Sequence, residues 1–142
     1  MQPAQCTRDN LSEKLRAHGI NPTHQRIEIA YALFSRCEHL SADRIMAIVN
    51  ERHAETSKAT VYNTLNLFVE KKLIREVIVD PSKVFYDPNT AAHYHMFDVQ
   101  SGQLTDIDAT NIQITGLPAL PAGMVTEGTD IIIRVRPDDR TE

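Results

Sequence analysis

The sequence has few of the features that mark secreted, membrane-spanning or phosphate-binding proteins. Its two cysteines, Cys6 and Cys37, form neither a CxxC motif nor a disulfide framework, which argues against a Cys₄ zinc site and favours a reducing compartment. There is no apolar run of membrane length and no secretory leader, so we expect a cytoplasmic protein. There is also no glycine-rich phosphate loop and no nucleophile paired with a base. These absences argue against an enzyme of the common hydrolase or nucleotide-binding classes.

Charge is unevenly distributed along the 142 residues, which carry a net charge of −4. Residues 1–84 contain twelve Lys+Arg against ten Asp+Glu, whereas residues 85–142 contain three against nine. This asymmetry suggests a module that faces nucleic acid joined to an acidic one. We therefore predict two domains, 1–84 and 85–142.

Residues 1–84 show the pattern of a winged helix. Capping residues and apolar spacing predict helices over residues 9–19, from Thr23 to about Cys37, from Ser41 and from Ser57. Two strands, Leu73–Val79 and Lys83–Asp87, follow as a hairpin. Three or four helices followed by a hairpin form the winged-helix arrangement, so the fold class is predicted to be α+β.

The fourth helix has an unusual outer face. At about 100° per residue, Val61, Leu65 and Phe68 point inward, while Tyr62 and Asn63 point outward with few charges around them. Asparagine can read an adenine edge and a tyrosine ring can pack on a thymine methyl, so this face is a candidate DNA reader. The alternative is an ordinary helical hairpin with a half-buried tyrosine. The candidate DNA-binding residues are Arg26, Lys58, Ala59, Thr60, Tyr62, Asn63 and Lys83.

A His-x-His pair in the second half indicates a metal site. Alternate residues of a strand share a face, so His93 and His95 can direct two imidazoles at one point. Neutral imidazole with carboxylate oxygen suits Fe²⁺, Mn²⁺ or Zn²⁺. Asp87, Asp106 and the distant His39 are possible partners. The alternative is a pair of surface histidines without a ligand role.

The rest of the second half predicts a small sheet. His93–Val99 and Gln103–Asp106 are expected to pair antiparallel, and Thr129–Val135 is a further strand rich in β-branched residues. Between them, Pro118 and Pro121 forbid a long helix, so we expect a short or irregular crossover. The strand Thr129–Val135 is strongly apolar, which suggests that it pairs or packs against a second copy of the chain in a dimer.

Three motifs resemble those of the ferric uptake regulator (Fur) superfamily. Ser57–Leu65 resembles its recognition-helix signature, Gly19–Arg26 the exit of its first helix, and His39–Asp43 the junction that follows. The resemblance covers roughly residues 11–136. It implies an N-terminal winged-helix DNA-binding domain, a small C-terminal α+β dimerisation domain and a regulatory metal between them. The implied partners are double-stranded DNA and a second copy of the chain.

Five positions match the regulatory metal site of that family. They are His39, Asp87, His93, His95 and Asp106. Two aspartates at these positions are closer to the peroxide-responsive branch than to the members that use glutamate. The resemblance implies Fe²⁺ or Mn²⁺ as the metal, with Zn²⁺ possible in purified protein.

Other positions depart from the family pattern. Asp98 and Ser101 replace its usual CxxC, so its structural Cys₄ zinc is expected to be absent. Leu117–Met124 and Asp130–Arg136 resemble the C-terminus of the iron response regulator (Irr) branch, whose members respond to haem or iron. Haem at His93 and His95 is therefore a further expectation, with Tyr94 pointing to the opposite strand face and serving in a core or an interface.

The favoured interpretation is a metal- or haem-responsive regulator of iron and haem genes, a homodimer that binds an A/T-rich inverted repeat. A peroxide-sensing repressor with the same metal site is the near alternative. A small non-haem metalloenzyme that uses His93, His95 and an aspartate is a remote one. The last alternative is a protein that keeps the family's fold, has lost metal sensing and binds DNA constitutively.

Overall fold

The computed structural model describes residues 6–36, 38–52 and 56–140, so Cys37 lies outside the described residues. The chain divides into two compact units, Met1–Thr90 and Ala91–Glu142. Within the described residues the first unit has the order α1 (Arg8–Ala17), α2 (His24–Phe34), α3 (Ala42–Asn50), α4 (Lys58–Glu70), β1 (Arg75–Asp80), β2 (Lys83–Asp87). A boundary after residue 84 would fall inside β2, which the structure keeps with the first unit because it pairs with β1.

Hydroxyl caps fix where the four helices begin. Each cap accepts a hydrogen bond from the backbone N–H three residues later, which satisfies one of the donors that a helix start leaves unpaired. The caps are Thr7, Thr23, Ser41 and Ser57. The starts predicted at Thr23, Ser41 and Ser57 are therefore confirmed.

Helix α1 ends earlier than its apolar spacing suggests. The expected end at Gly19 is replaced by an end at Ala17, with His18 as the C-cap residue. The His18 Nδ1–H donates to the Lys14 carbonyl at 2.9 Å, and Gly19 then turns the chain with a φ of +75°. That left-handed backbone is accessible to glycine without strain, which ends the helix there.

The core of the first unit lies between the helices and the hairpin. On α4, Val61, Leu65 and Phe68 are fully buried, whereas Tyr62 and Asn63 are exposed, as the angular pattern predicts. The largest fully buried side chains are Phe68, Leu15, Ile20, Ile29, Leu33, Ile45, Leu65, Ile74 and Val61. Helix α4 thus packs one face into the core and exposes the opposite face to solvent.

The hairpin is tied back to the helices by a second backbone pairing. β1 and β2 pair antiparallel, and Leu40, just before α3, forms an isolated bridge with Tyr86 of β2. The Tyr86 N–H donates to the Leu40 carbonyl at 2.8 Å, and the Leu40 N–H donates in return at 3.5 Å. This bridge brings two segments 46 positions apart in sequence into register.

The second unit is a three-stranded sheet of β3 (His93–Asp98), β4 (Leu104–Asp108) and β5 (Ile132–Val135). Its order is β4-β3-β5, with β3 antiparallel to β4 and parallel to β5. A 3₁₀ turn over Ala109–Asn111 opens the crossover, and residues 112–131 form neither helix nor strand. The irregular crossover is therefore confirmed, and the last strand is shorter than the expected Thr129–Val135.

The architecture is α+β, as the sequence predicts. Among the residues that the structure describes, no helix is both long and apolar enough to cross a membrane.

We predict that Leu65→Ala lowers the free energy of unfolding by about 2–5 kcal/mol, because Leu65 is fully buried and its truncation leaves a cavity. The matched control is Asn66→Ala, an exposed neighbour on the same helix, which should change stability by no more than about 0.5 kcal/mol. Urea unfolding followed by circular dichroism measures both. Equal losses for the two variants would contradict the packing of α4.

Candidate functional site

Two histidines and an aspartate converge on one face of the second unit's sheet. His93 and His95 alternate along β3 and are both buried, and Asp106 lies on β4 directly opposite His95. The Asp106 Oδ1 atom is 3.5 Å from the Nε2 atoms of both histidines. The potential ligand atoms of the three side chains lie within 4.8 Å of one another. The expected convergence of the His-x-His pair is thus present, together with a carboxylate.

The orientation of His93 is fixed by the backbone before the strand. Its Nδ1–H donates to the Ala91 carbonyl at 2.7 Å, so Nε2 is the unprotonated nitrogen of the neutral ring. Metal-binding histidines commonly donate their other ring N–H to such a partner, which sets the tautomer and the ring orientation. The two imidazoles meet edge to face, with centroids 4.6 Å apart. The second unit therefore presents an ordered donor set.

The first unit brings His39 and Asp87 together. The His39 Nε2 atom is 3.1 Å from the Asp87 Oδ2 atom, and Asp87 is buried. The other carboxylate oxygen, Oδ1, accepts the Asn89 N–H at 2.9 Å. Both residues directly adjoin the Leu40–Tyr86 bridge, so backbone pairing holds the imidazole beside the carboxylate.

These donors fit a divalent transition metal by their chemistry. Imidazole nitrogen with carboxylate oxygen suits Mn²⁺, Fe²⁺ and Zn²⁺, whereas softer ions prefer the sulfur of cysteine or methionine. The side chains of His93 and His95 are nearly fully buried, while that of Asp106 is 46% exposed, so the carboxylate is the donor that faces solvent.

The residues around the His-x-His pair have structural roles. Tyr94 is half-buried and, as the neighbour of His93 on a strand, points to the opposite face of β3. Asp98, where the family's first CxxC cysteine would stand, accepts hydrogen bonds from the Gln100 and Ser101 N–H groups. Those bonds lower the pKa of the Asp98 carboxyl and close the turn between β3 and β4.

The outer face of α4 is open to solvent in the part of the chain that the structure describes. Lys58, Ala59, Tyr62 and Asn63 are all exposed on this one helix. The Lys58 Nζ atom is 5.9 Å from the centre of the Tyr62 ring, within range of a cation–π contact. We name these four residues the α4 face.

The other three candidate DNA-binding residues are placed differently. Thr60 is half-buried, and its hydroxyl is 2.9 Å from that of the cap residue Ser57, so it supports the helix start. Arg26, on α2, donates from Nη1 to the Asn21 carbonyl at 3.1 Å. Lys83 is exposed at the start of β2. Arg26 and Lys83 thus stand on elements separate from the α4 face.

Sequence reasoning missed the backbone groups that hold the ligands. The Asp-Pro-Asn sequence from Asp87 to Asn89 is typical of an Asx turn and could have indicated the Asn89 contact. No comparable signal marks the Leu40–Tyr86 bridge or the Ala91 carbonyl, because both depend on where the chain passes in three dimensions.

The model of the ferric uptake regulator family matches residues 17–120. The peroxide-responsive repressor PerR of Staphylococcus aureus is 35% identical over 92 residues, which cover 65% of this chain and 62% of that protein. The aligned part thus spans less than two thirds of that relative.

Solved structures share the fold. The ferric uptake regulator of Helicobacter pylori has a TM-score of 0.67 at 18% identity, with 94% of this chain and 91% of that chain covered. The ferric uptake regulator of Pseudomonas aeruginosa, solved with manganese, has a TM-score of 0.66 at 20% identity, with 90% and 98% covered.

Proteins of this family are dimeric, DNA-binding transcriptional regulators and not enzymes. Ferric uptake regulators have been solved with manganese and with iron, and a manganese uptake regulator has been solved with zinc. With the family model matching most of its length, the chain belongs to the ferric uptake regulator family.

Proposed function

We propose that this chain is a cytoplasmic, homodimeric regulator of iron and haem genes whose DNA binding is controlled by a divalent metal. The observation that carries the proposal is the convergence of His93, His95 and Asp106 on one sheet face, in a chain that also exposes the α4 face. Iron is the proposed native metal, and manganese is its redox-quiet equivalent.

In this proposal, His39 and Asp87 ligate the same ion as His93, His95 and Asp106. Asp87 and His93 are six positions apart, so even an extended chain keeps their Cα atoms within about 20 Å. An ion held by donors from both units would restrict the angle between them. Metal would then favour one conformation through its higher affinity for that conformation.

The proposed DNA contacts are divided by chemistry. Tyr62 and Asn63 would read base edges in the major groove of an A/T-rich inverted repeat. Lys58, Lys83 and Arg26 would contact phosphates and fix the register, with Ala59 and Thr60 at the helix start close to the backbone. A symmetric dimer would present two such helices to the two half-sites.

We predict that Mn²⁺ raises the affinity for DNA from the gene's own promoter region by about 5- to 150-fold, the usual range of coupling between two binding sites. His93→Ala should abolish this response because it removes one donor of the ion. Fluorescence anisotropy of the labelled DNA, with chelator-stripped and Mn²⁺-loaded protein, measures both.

The matched control for this experiment is Asp43→Ala, which removes an exposed carboxylate from the first turn of α3 in the first unit. It should respond to Mn²⁺ like the unsubstituted protein. Equal DNA affinity with and without metal in the unsubstituted protein would refute metal control and leave a constitutive DNA-binding protein.

We predict that Lys58→Ala weakens DNA binding and lowers the slope of log affinity against log salt by about one, because one phosphate contact is lost. Lys71→Ala removes the same charge at the opposite end of α4 and should leave the slope unchanged. Tyr62→Ala should weaken binding to the cognate repeat more than to random DNA. If the two lysine variants show the same salt slope, α4 does not approach the duplex by its N-terminal end.

Peroxide sensing is the second candidate function, and the 35% identity to the peroxide-responsive repressor favours it. Two aspartates among five proposed ligands support it as well. In that case peroxide would oxidise a ligand histidine of the Fe²⁺-loaded protein and release the DNA.

We predict that peroxide treatment of the Fe²⁺-loaded protein adds one oxygen atom to His39, His93 or His95, as read by peptide mass spectrometry. The Mn²⁺-loaded protein should remain unmodified, because Mn²⁺ does not reduce peroxide readily. Unmodified histidines in the iron form would favour an iron or haem response instead. Titration of the His93→Ala/His95→Ala variant with haem would then test the haem interpretation.

A further inference from the structure

The first unit contains a cleft that includes neither the candidate metal ligands nor the α4 face. It lies between the start of α1, the start of α2 and the segment that follows α3, and its volume is about 460 Å³. Small-molecule sites commonly have volumes of roughly 300–1,000 Å³. Its lining includes charged and hydroxyl-bearing side chains, among them Arg8, Asp9, Ser12, Glu28 and Arg52.

Glu28 holds the Arg8 guanidinium in one orientation. The Arg8 Nε–H donates to Glu28 Oε2 at 2.6 Å, and Nη2–H donates to Oε1 at 3.0 Å. The Glu28 side chain is only 7% exposed, whereas that of Arg8 is 39% exposed. A bidentate pair of this kind fixes the plane of the guanidinium. A ligand that packs on this plane therefore loses little conformational entropy of the protein on binding.

One face of the Arg8 guanidinium is covered, and the other borders the cleft. The Arg8 Cζ atom is 4.1 Å from the centre of the Tyr31 ring. Tyr31 lines a smaller cavity of about 90 Å³, which Arg8 also lines, but in the described part of the chain it does not line the larger cleft. The guanidinium thus separates the two spaces, with the tyrosine on one side. Its second face is available to a planar ring, because guanidinium groups stack on aromatic rings.

The other side chains of the cleft indicate what such a ring would carry. Arg52 is exposed and lines both spaces, and a guanidinium binds a phosphate through two parallel hydrogen bonds. On α1, the Asp9 carboxylate and the Ser12 hydroxyl can accept hydrogen bonds from ring N–H groups. Arg8 already balances the charge of Glu28. A planar ring with N–H donors and a phosphate matches these groups, and guanine offers adjacent N–H donors that suit a carboxylate.

We propose that this cleft binds a guanine mononucleotide, with the base stacked on Arg8 and the phosphate held by Arg52. Asp9 and Ser12 would contact the edge of the base. The cleft shares no residue with the candidate metal ligands or with the α4 face. The inference therefore goes beyond the proposed function and does not depend on it.

The test is a calorimetric titration of the full-length protein with guanosine monophosphate (GMP) and, separately, with guanosine. A chelator is present throughout, so that the phosphate cannot bind through a metal ion. We expect GMP to bind with a dissociation constant on the order of 10–100 µM, a range typical of a ligand of this size. Guanosine should bind about 10-fold more weakly, because it lacks the charge-assisted contact with Arg52.

Substitutions assign each half of the nucleotide to its side chain. Arg52→Ala should lower the affinity for GMP to that for guanosine and leave the affinity for guanosine unchanged. The matched control is Arg44→Ala, which removes an exposed arginine of α3 outside the cleft and should bind both ligands like the unsubstituted protein. Arg8→Lys keeps a charge beside Glu28 but loses the planar surface, so both ligands should bind about 10-fold more weakly.

A measurement on the unsubstituted protein locates the base even if Arg8→Lys fails to fold. The Arg8 Nε–H is held by Glu28 and should give a resolved signal in proton–nitrogen correlation spectra. A base stacked on the guanidinium face should shift this signal upfield through its ring current. GMP and guanosine should both cause the shift, since both carry the base.

The contrary results are equally definite. A lack of saturable GMP binding would overturn the inference. GMP binding that Arg52→Ala leaves unchanged, or that Lys58→Ala reduces instead, would also overturn it, because the nucleotide would then be held outside the cleft. Failure of DNA binding to respond to metal would refute the proposed function and leave the GMP titration unaffected.

Discussion

The antiparallel pairing of β3 with β4 is the constraint on which the candidate metal chemistry depends. Strand periodicity puts His93 and His95 on one face, but only the register brings the Asp106 carboxylate within 3.5 Å of both imidazoles. A slip of one residue would turn the aspartate to the other face of the sheet. The turn closed by Asp98, whose carboxylate accepts two backbone N–H groups, stabilises that register at the other end of the hairpin.

In the first unit, too, backbone pairing positions the candidate ligands, here through a single bridge. One bridge between Leu40 and Tyr86 positions both neighbours, His39 and Asp87, and β2 supplies the bridge as well as the hairpin. In each unit, therefore, backbone hydrogen bonds rather than side-chain packing determine where the donors lie. Such positioning fixes the orientation of the donor side chains, as the groups around metal ligands commonly do.

The same ligand geometry is compatible with different signals. Iron status and peroxide can act through one set of histidine and aspartate donors, because the signal depends on the redox chemistry of the bound ion and not on the scaffold. Family membership supports the proposed metal-responsive regulator, while the identity of the signal rests on chemical tests of the loaded protein.

The sequence by itself determined where three helices begin, at Thr23, Ser41 and Ser57. It also determined which face of α4 is buried and that His93 and His95 share a strand face. Capping and periodicity are local properties of the chain, so they can be read without the fold. The motifs also predicted the family.

Only the tertiary structure decided that β2 belongs to the first unit, that α1 ends at Ala17, and that Leu40 pairs with Tyr86. The register of β3 on β4 and the contact of His93 with Ala91 likewise required the folded chain. These features depend on backbone groups that every residue type carries, so side-chain identity leaves little trace of them.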